Sequence, residues 1–215
     1  LKKPTGVAGE AMLRAETVAE QQALIGVGRR NLLINGDFQV SQRGDYTSAT
    51  TITSGVVYLD RWRTSVGGST VTIQNTEFDL NAAGIKGLAT STSATAYIEF
   101  YQFLEFPEFL SGKTITLSAK VKSNNVNAKL YCSGTNGLEA ASESHSGSGQ
   151  VENLSVTFKV SAASPILRFY VGIVSASAGT TLLTSGDYVE ATEIQAELGK
   201  VATPFEHRSY GEELA

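Results

Sequence analysis

The sequence predicts a mainly-β protein in which two antiparallel sheets pack face to face. Two observations carry this expectation. From residue 31 onward apolar residues recur with a period of two, in about ten runs separated by turn-rich segments with no helix between them, which excludes a βαβ design. Each run has one apolar and one polar side, so its apolar side is buried only if a second layer covers it. The composition agrees: 215 residues with 41% hydrophobic and 18% charged suit one sandwich plus a short extra element.

Residues 1–30 read as a stem or connector. After a leader with Pro4, Gly6 and Gly9, strong helix formers predict an N-terminal α-helix over about 10–25. Glu10 and Arg14 stand in the favourable i,i+4 order, and Gly26 and Gly28 supply the stop. Ala11, Ala15, Val18, Gln22 and Ile25 form a thin 4-3-4-3 seam. Such a seam cannot hold a lone helix. The helix is therefore an oligomerisation stem, or it packs on its own sandwich. Arg29 and Arg30 mark the junction.

Residues 31–199 form the expected sandwich, with strands near 32–38, 60–66, 70–75, 86–92, 95–104, 113–122, 126–132, 154–160, 167–173 and 188–198. The clearest alternation places Ile115, Leu117, Ala119 and Val121 on one side and Thr114, Thr116, Ser118 and Lys120 on the other. The Ser/Gly-rich segment 142–149 reads as a flexible loop, because the strand pattern resumes directly after it.

Several groups invite a functional reading. Segment 97–110 is dense in aromatics on both parities: Phe100 and Phe106 on one, Tyr97, Tyr101, Phe103 and Phe109 on the other. A strand of this kind is buried on both faces, or its outer face meets another protein or a glycan. Tyr97, Tyr101 and Phe103 are thus candidates for a subunit interface, unless 107–110 folds back over the strand. Trp62, the single tryptophan, is either a sugar-stacking platform or, preferably, a core residue beside Phe38. Asn35, Gly36 and Asp37 read as a tight turn ahead of a cation site shared with Asp187.

Catalytic signals are sparse. His145 and His207 lack a nucleophile and an acid at any recognised spacing. The pairs Glu105/Glu108 and Glu190/Glu193 carry no weight until their separation in space is known. Phosphate-loop, zinc and dinucleotide spacings are missing, so the expectation is a non-enzyme without a cofactor or metal. Net charge is −4 with no Lys/Arg cluster in sequence, which argues against nucleic-acid binding. Cys132 is the single cysteine and reads as a half-buried strand thiol. No secretory signal or membrane-spanning segment is visible, in keeping with cytoplasmic synthesis. The chain starts at Leu1, and a longer natural protein is expected.

Residues 200–215 read as a C-terminal extension. Pro204 stops the last strand, and mixed charges follow. The extension could wrap a neighbouring subunit, with Phe205 and Tyr210 as anchors and Arg208 pairing across, or it could lead into a further segment.

The run Asn31-Leu32-Leu33-Ile34-Asn35-Gly36-Asp37-Phe38, the triplet Asp60-Arg61-Trp62, and the run from Ala202 through Pro204, Phe205, Arg208 and Tyr210 to Glu213 together resemble the frame of a jelly-roll module. Such modules are common in bacteriophage tail-fibre and other virion-surface proteins, and the first run also resembles the opening strand of jelly-roll carbohydrate-binding modules. The resemblance implies a jelly-roll β-sandwich on a virion surface, in a phage tail or fibre. It implies a homotrimer that contacts other virion proteins and adheres to a bacterial surface glycan, and it assigns no carbohydrate-binding residues. Two alternatives stay open: a non-adhesive decoration or adaptor such as a head fibre, and a carbohydrate-binding module of a larger polysaccharide-degrading enzyme.

Overall fold

A computed structural model of the chain describes residues 30–213 apart from 53–54, 80–81, 105–106, 136, 162–164 and 175–182. The helix expected over 10–25 lies outside the described residues. Within them the strands are β1 (Thr50–Ile52), β2 (Val57–Leu59), β3 (Trp62–Asp79), β4 (Ala82–Phe103), β5 (Thr114–Ser123), β6 (Ala128–Gly134), β7 (Gly137–Ala141), β8 (Val151–Lys159), β9 (Leu167–Ile173) and β10 (Tyr188–Leu198). A 3-10 turn at Pro107–Leu110 follows β4, and a short helix α1 (Tyr210–Glu213) ends the described chain.

The chain is mainly β, and all the described ladders are antiparallel. One hydrogen-bonded network, ordered β7-β6-β9-β4-β10-β5-β8 with β3 beside β4, folds into two layers. Layer A holds β7, β6, β9 and the second half of β4, where Ile98 to Phe103 pair with β9. Layer B holds β8, β5, β10 and the first half of β4, where Ile85 to Leu88 pair with β10. The long β3–β4 hairpin belongs to both layers, and its register slips between Gly67 and Ser69 and between Thr70 and Val71. Bulges of this kind bend and twist a strand pair. They turn β4 over itself, so a methyl group at Gly87 would lie 2.9 Å from Ile98 and Phe100 of the opposite layer. Chain crossings between the layers at β5–β6, β7–β8, β8–β9 and β9–β10 fit the jelly-roll expectation.

Alternation fills the space between the layers. Ile115, Leu117, Val121, Leu130, Phe169, Val171, Val189 and Ala191 are all fully buried in one apolar cluster. Phe158 and Phe169 meet across it at 6.5 Å. The strands expected at 60–66 and 70–75 are one strand, β3, and those at 86–92 and 95–104 are one strand, β4.

The strand expected over 32–38 is not a strand. The cause lies in β10, whose ladder with β4 covers Tyr188 to Ala191 only. Beyond it β10 carries a bulge between Thr192 and Gln195, with Glu193 at φ 51°. The bulge frees the backbone of Ile194, and residues 31–36 take it up in an irregular conformation. Ile194 N donates to Gly36 O at 2.8 Å, and Asn31 Nδ2 donates to Ile194 O at 3.0 Å. Asn31 Oδ1 accepts from Ala196 N at 3.0 Å, and Leu32 N donates to Ala196 O at 2.8 Å. Any side chain at Gly36 would collide with the Ile194 carbonyl.

The tail closes over this segment. Glu206 accepts from Asn31 N at 2.8 Å and Arg30 N at 3.1 Å. Burial opposes its ionisation, but these N–H groups and Arg208 outweigh it and hold the carboxyl below its ordinary range. Arg208 is engaged within its own chain. Its side chain is 5% exposed and reaches the carbonyls of Asn31 and Leu33 and the carboxylates of Glu206 and Glu213. Glu213 Oε2 accepts from Asn35 N at 2.6 Å. Asn35 O accepts from Trp62 Nε1 at 2.9 Å, and the Trp62 and Phe38 rings lie 5.2 Å apart, so the tryptophan is a core residue.

Arg208→Ala would leave Glu213 and two carbonyls without their buried donor. The expected loss is about 3–5 kcal/mol of stability, read from urea unfolding. Arg208→Lys should recover only part of it, because an ammonium cannot fork between carbonyl and carboxylate.

Candidate functional site

The outward side of layer A is where alternation departs from a polar face. Tyr131 of β6, Tyr170 of β9 and Tyr101 of β4 lie directly opposite one another in register, and Arg63 of β3 pairs with Tyr101. The Tyr131 and Tyr170 rings stack at 4.2 Å and 7°, and those of Tyr101 and Tyr170 at 5.1 Å and 27°. Rings stacked in this way cover one another's faces and present edges and hydroxyls. Cross-strand aromatic pairs of this kind also stiffen the sheet.

Two neighbouring rows complete the face. In one, Gly172 lies between Lys129 and Glu99, and Ser65 follows Glu99. A side chain at Gly172 would collide with the Ile98 carbonyl and crowd the Glu99 side chain, so the row admits only glycine there. In the other row Arg168 lies opposite Phe103. The guanidiniums of Arg168 and Arg63 stand 4.9 and 5.4 Å from the centre of the Phe103 ring, which is 39% exposed. Beyond Phe103 opens a cleft of about 540 Å³, lined among others by Arg43, Val57, Asp60, Arg61, Arg63 and Phe103. Its far wall includes Ile34 and Glu213, so the closed tail builds one side of it.

The protonation states suit hydrogen bonding. Burial is the main influence on Tyr131 and Tyr170 and raises both phenols, which remain neutral donors at ordinary pH. Burial also pushes the Glu99 carboxyl above its ordinary range, against hydrogen bonds from Tyr131 and Ser65. The result is a ridge of neutral phenols, with Tyr131 bonded to Glu99 and Tyr170 to Arg168, and with amphipathic rings and cations beside it. Such a surface can hold a hydroxyl-rich ligand without a deep pocket.

The six residues expected at a subunit interface fall in two places. Tyr101 and Phe103 belong to this face, and Tyr97 lies on it over Gly67. Phe205 packs beside Gly36 and edge-on to His207, Arg208 is engaged as described, and Tyr210 is 52% exposed on α1. Tyr131, Tyr170, Arg63, Arg168 and Glu99 do not stand out in the sequence. An aromatic on the polar parity of β6 and of β9 is the signal that could have found the first two.

Other candidate groups separate in space. Asn35 to Phe38 form the expected turn, with Phe38 N donating to Asn35 O at 3.2 Å. Asp37 takes a hydrogen bond from Gln39 Nε2 at 2.6 Å, whereas Asp187 binds Asn125 Nδ2 at 2.7 Å and Thr184 N at 2.6 Å. Among the described residues no group of three His, Cys, Asp or Glu is placed to hold a metal. Glu190 accepts from Thr76 at 2.5 Å and Glu193 pairs with Lys120 at 2.7 Å, so each carboxylate has its own partner. Glu105 lies outside the described residues. Cys132 is fully buried, and burial pushes its thiol up to about 12. No helix among the described residues is long and apolar enough to cross a membrane.

Segment 142–149 is structured rather than flexible. His145 is 1% exposed, with Nε2 3.0 Å from Gln150 O and Nδ1 accepting from Gly147 N at 2.9 Å. Ser146 and Ser148 wrap the Glu152 carboxylate, and the Ser146 hydroxyl leads the contacts that hold its pKa below the ordinary range.

The Glu99 shift has a stability consequence. Its folded-state value lies above the unfolded one, so folding favours the protonated form. The associated stability is present below the unfolded value and is lost as pH rises through the folded value. Glu99→Gln removes that loss while keeping an acceptor for Tyr131 and Ser65. Its melting temperature should exceed the parent's at about pH 7, and the difference should close on descent to about pH 4.

No protein-family model matches the chain, and no curated protein matches it in sequence. Among solved structures it is similar to the enzymatically active domain of bacteriophage CBA120 tailspike protein 4, at 15% identity and a TM-score of 0.47 over 78% of this chain and 21% of that one. It thus spans about a fifth of the tailspike domain. It is also similar to TmCBM61, solved with β-1,4-galactotriose, at 14% identity and a TM-score of 0.47 over 79% and 99% of the two chains. A third likeness is to the tripod from the baseplate of bacteriophage Tuc2009, at 14% identity and 0.47 over 86% and 60%. All three fall below a TM-score of 0.5, so the reading of the site stands on its own geometry.

Proposed function

We propose that this chain is a non-catalytic bacteriophage virion protein, a tail-fibre or spike subunit that adheres to a bacterial surface glycan. The observation that carries the binding part is the in-register ridge Tyr131–Tyr170–Tyr101 on the outer side of layer A, ending at Arg63 and the exposed ring of Phe103. A ridge of phenols beside an exposed aromatic ring pairs hydrogen bonding with apolar contact, which is what a sugar chain offers in return. The virion part is supported by the resemblance of both end motifs, in residues 31–38 and 202–213, which the fold joins in one polar cluster. We assign the protein to the virion surface as a homotrimer, where several shallow sites on one particle supply avidity.

A second reading is favoured by the apolar groups beside the ridge. Phe103 and Leu138 are 39% and 68% exposed. On this reading Tyr97, Tyr101 and Phe103 meet a neighbouring subunit or another virion protein, and the chain is a decoration or adaptor.

Tyr170→Ala and Tyr101→Ala separate the two. On a glycan array followed by calorimetry, each should weaken sugar binding by about tenfold or more while circular dichroism stays unchanged. Variants that keep glycan binding but dissociate the oligomer in sedimentation runs would favour the interface reading. An intact protein that binds no glycan would remove the adhesion reading.

A further inference from the structure

The chain is acidic as a whole, yet the fold gathers cations at one end of the tyrosine ridge. Arg63 and Arg168 come from β3 and β9, 105 positions apart in sequence (168 − 63), and both guanidiniums stand over the same Phe103 ring. Arg43 and Arg61 line the adjoining cleft with Arg63, and Asp60 is the one exposed-side carboxylate in that lining besides the buried Glu213. Asp60 already accepts from Gln42 N at 2.6 Å. Among the described residues, none of Arg43, Arg63 and Arg168 forms an ion pair. Arg43, Arg63 and Arg168 carry charge of one sign at this end of the face, Asp60 offsets only part of it, and an anion from outside would balance the rest.

We infer that the ligand of this face is an anionic polysaccharide, whose carboxylate or phosphodiester groups seat among Arg43, Arg63 and Arg168 while its sugar hydroxyls meet the edges and hydroxyls of the tyrosine ridge. The inference rests on the glycan reading of the same face and adds its charge class. A guanidinium forks to carboxylate or phosphate oxygens, and its flat side stays on the aromatic ring while it does so. The net charge of −4 gives no long-range attraction for a polyanion, so recognition depends on this local cluster.

The test is affinity electrophoresis of the full chain in gels containing polygalacturonate, glycerol teichoic acid, neutral galactan or double-stranded DNA. Retardation by one or both acidic glycans and not by neutral galactan or DNA is the expected result. The carboxylate and phosphodiester arms tell the two anion sources apart. Arg63→Ala and the loop variant Arg43→Ala should each weaken retention by about tenfold, the scale of a charge-assisted hydrogen bond. Arg63→Lys should recover part of it, and Tyr170→Ala should lose it too. Retention by neutral galactan that survives both arginine variants overturns the anionic inference and leaves the glycan reading standing. DNA retained as strongly as polygalacturonate, or Tyr170→Ala retained like the parent, reduces the effect to charge alone and overturns the inference. No retention in any gel overturns the inference and the glycan reading together.

Discussion

The organisation of this module depends on the unpaired edge of β10 between Thr192 and Leu198. β5 satisfies one side of that stretch, but β4 leaves the other after Ala191. Buried N–H and C=O groups without partners are costly, so some other part of the chain has to reach them. Residues 31–36 do so through the Asn31 side chain and the carbonyl of Gly36, and this fixes where the segment lies. The segment then needs its own partners, which the Glu206, Arg208 and Glu213 side chains provide. Gln102 ties it to layer A through both the N–H and the carbonyl of Ile34. Ile34 and Glu213 in turn form a wall of the cleft beside Arg63. A gap in a ladder on one layer thus shapes a surface on the other.

Period-two alternation revealed most of the sandwich because the core obeys it. Ile115, Leu117 and Val121 are fully buried, and Thr114, Ser118, Lys120 and Lys122 on the other parity are not. It also placed Phe100 inward and Tyr97, Tyr101 and Phe103 outward. It failed at 32–38, where Leu33 and Phe38 are buried by a turn with positive φ at Asn35 and Phe38 rather than by a pleat. β1, β2 and β7 are three to five residues long, so they leave little periodic trace. β3 and β4 each read as two strands because Gly67, Gly68 and the Ser/Thr run near 91–95 look like turns, whereas here they bend a continuous hairpin.

The site was legible in its parts and hidden in its arrangement. Tyr131 and Tyr170 are neighbours through strand register, which only the ladder of β6 with β9 establishes. The same holds for the arginines, which are scattered in sequence and so leave no basic run. Mixed charge in the tail suggested an extension that wraps a neighbouring subunit or leads into a further segment. In the structure its carboxylates satisfy backbone N–H groups, a role that net charge and hydropathy do not distinguish from solvation. The Ser/Gly segment misled in the same way, since its hydroxyls are spent on Glu152 and its histidine on main-chain groups.

Trp62 gives the module an internal optical reporter. It is the single tryptophan in the chain, 2% exposed, tilted against Phe38 and hydrogen-bonded to Asn35 beneath the closed tail. Eight tyrosines are present, and the three of the ridge lie on the outside of layer A. Excitation at the red edge of the indole band therefore watches the end segments, while the tyrosine signal is spread over the chain and includes the ridge. Detachment of the tail would shift indole emission toward that of a wetted ring while leaving ring-stacking signals untouched. A single spectrum recorded along a denaturation path can thus show whether the chain opens at its ends before its layers part.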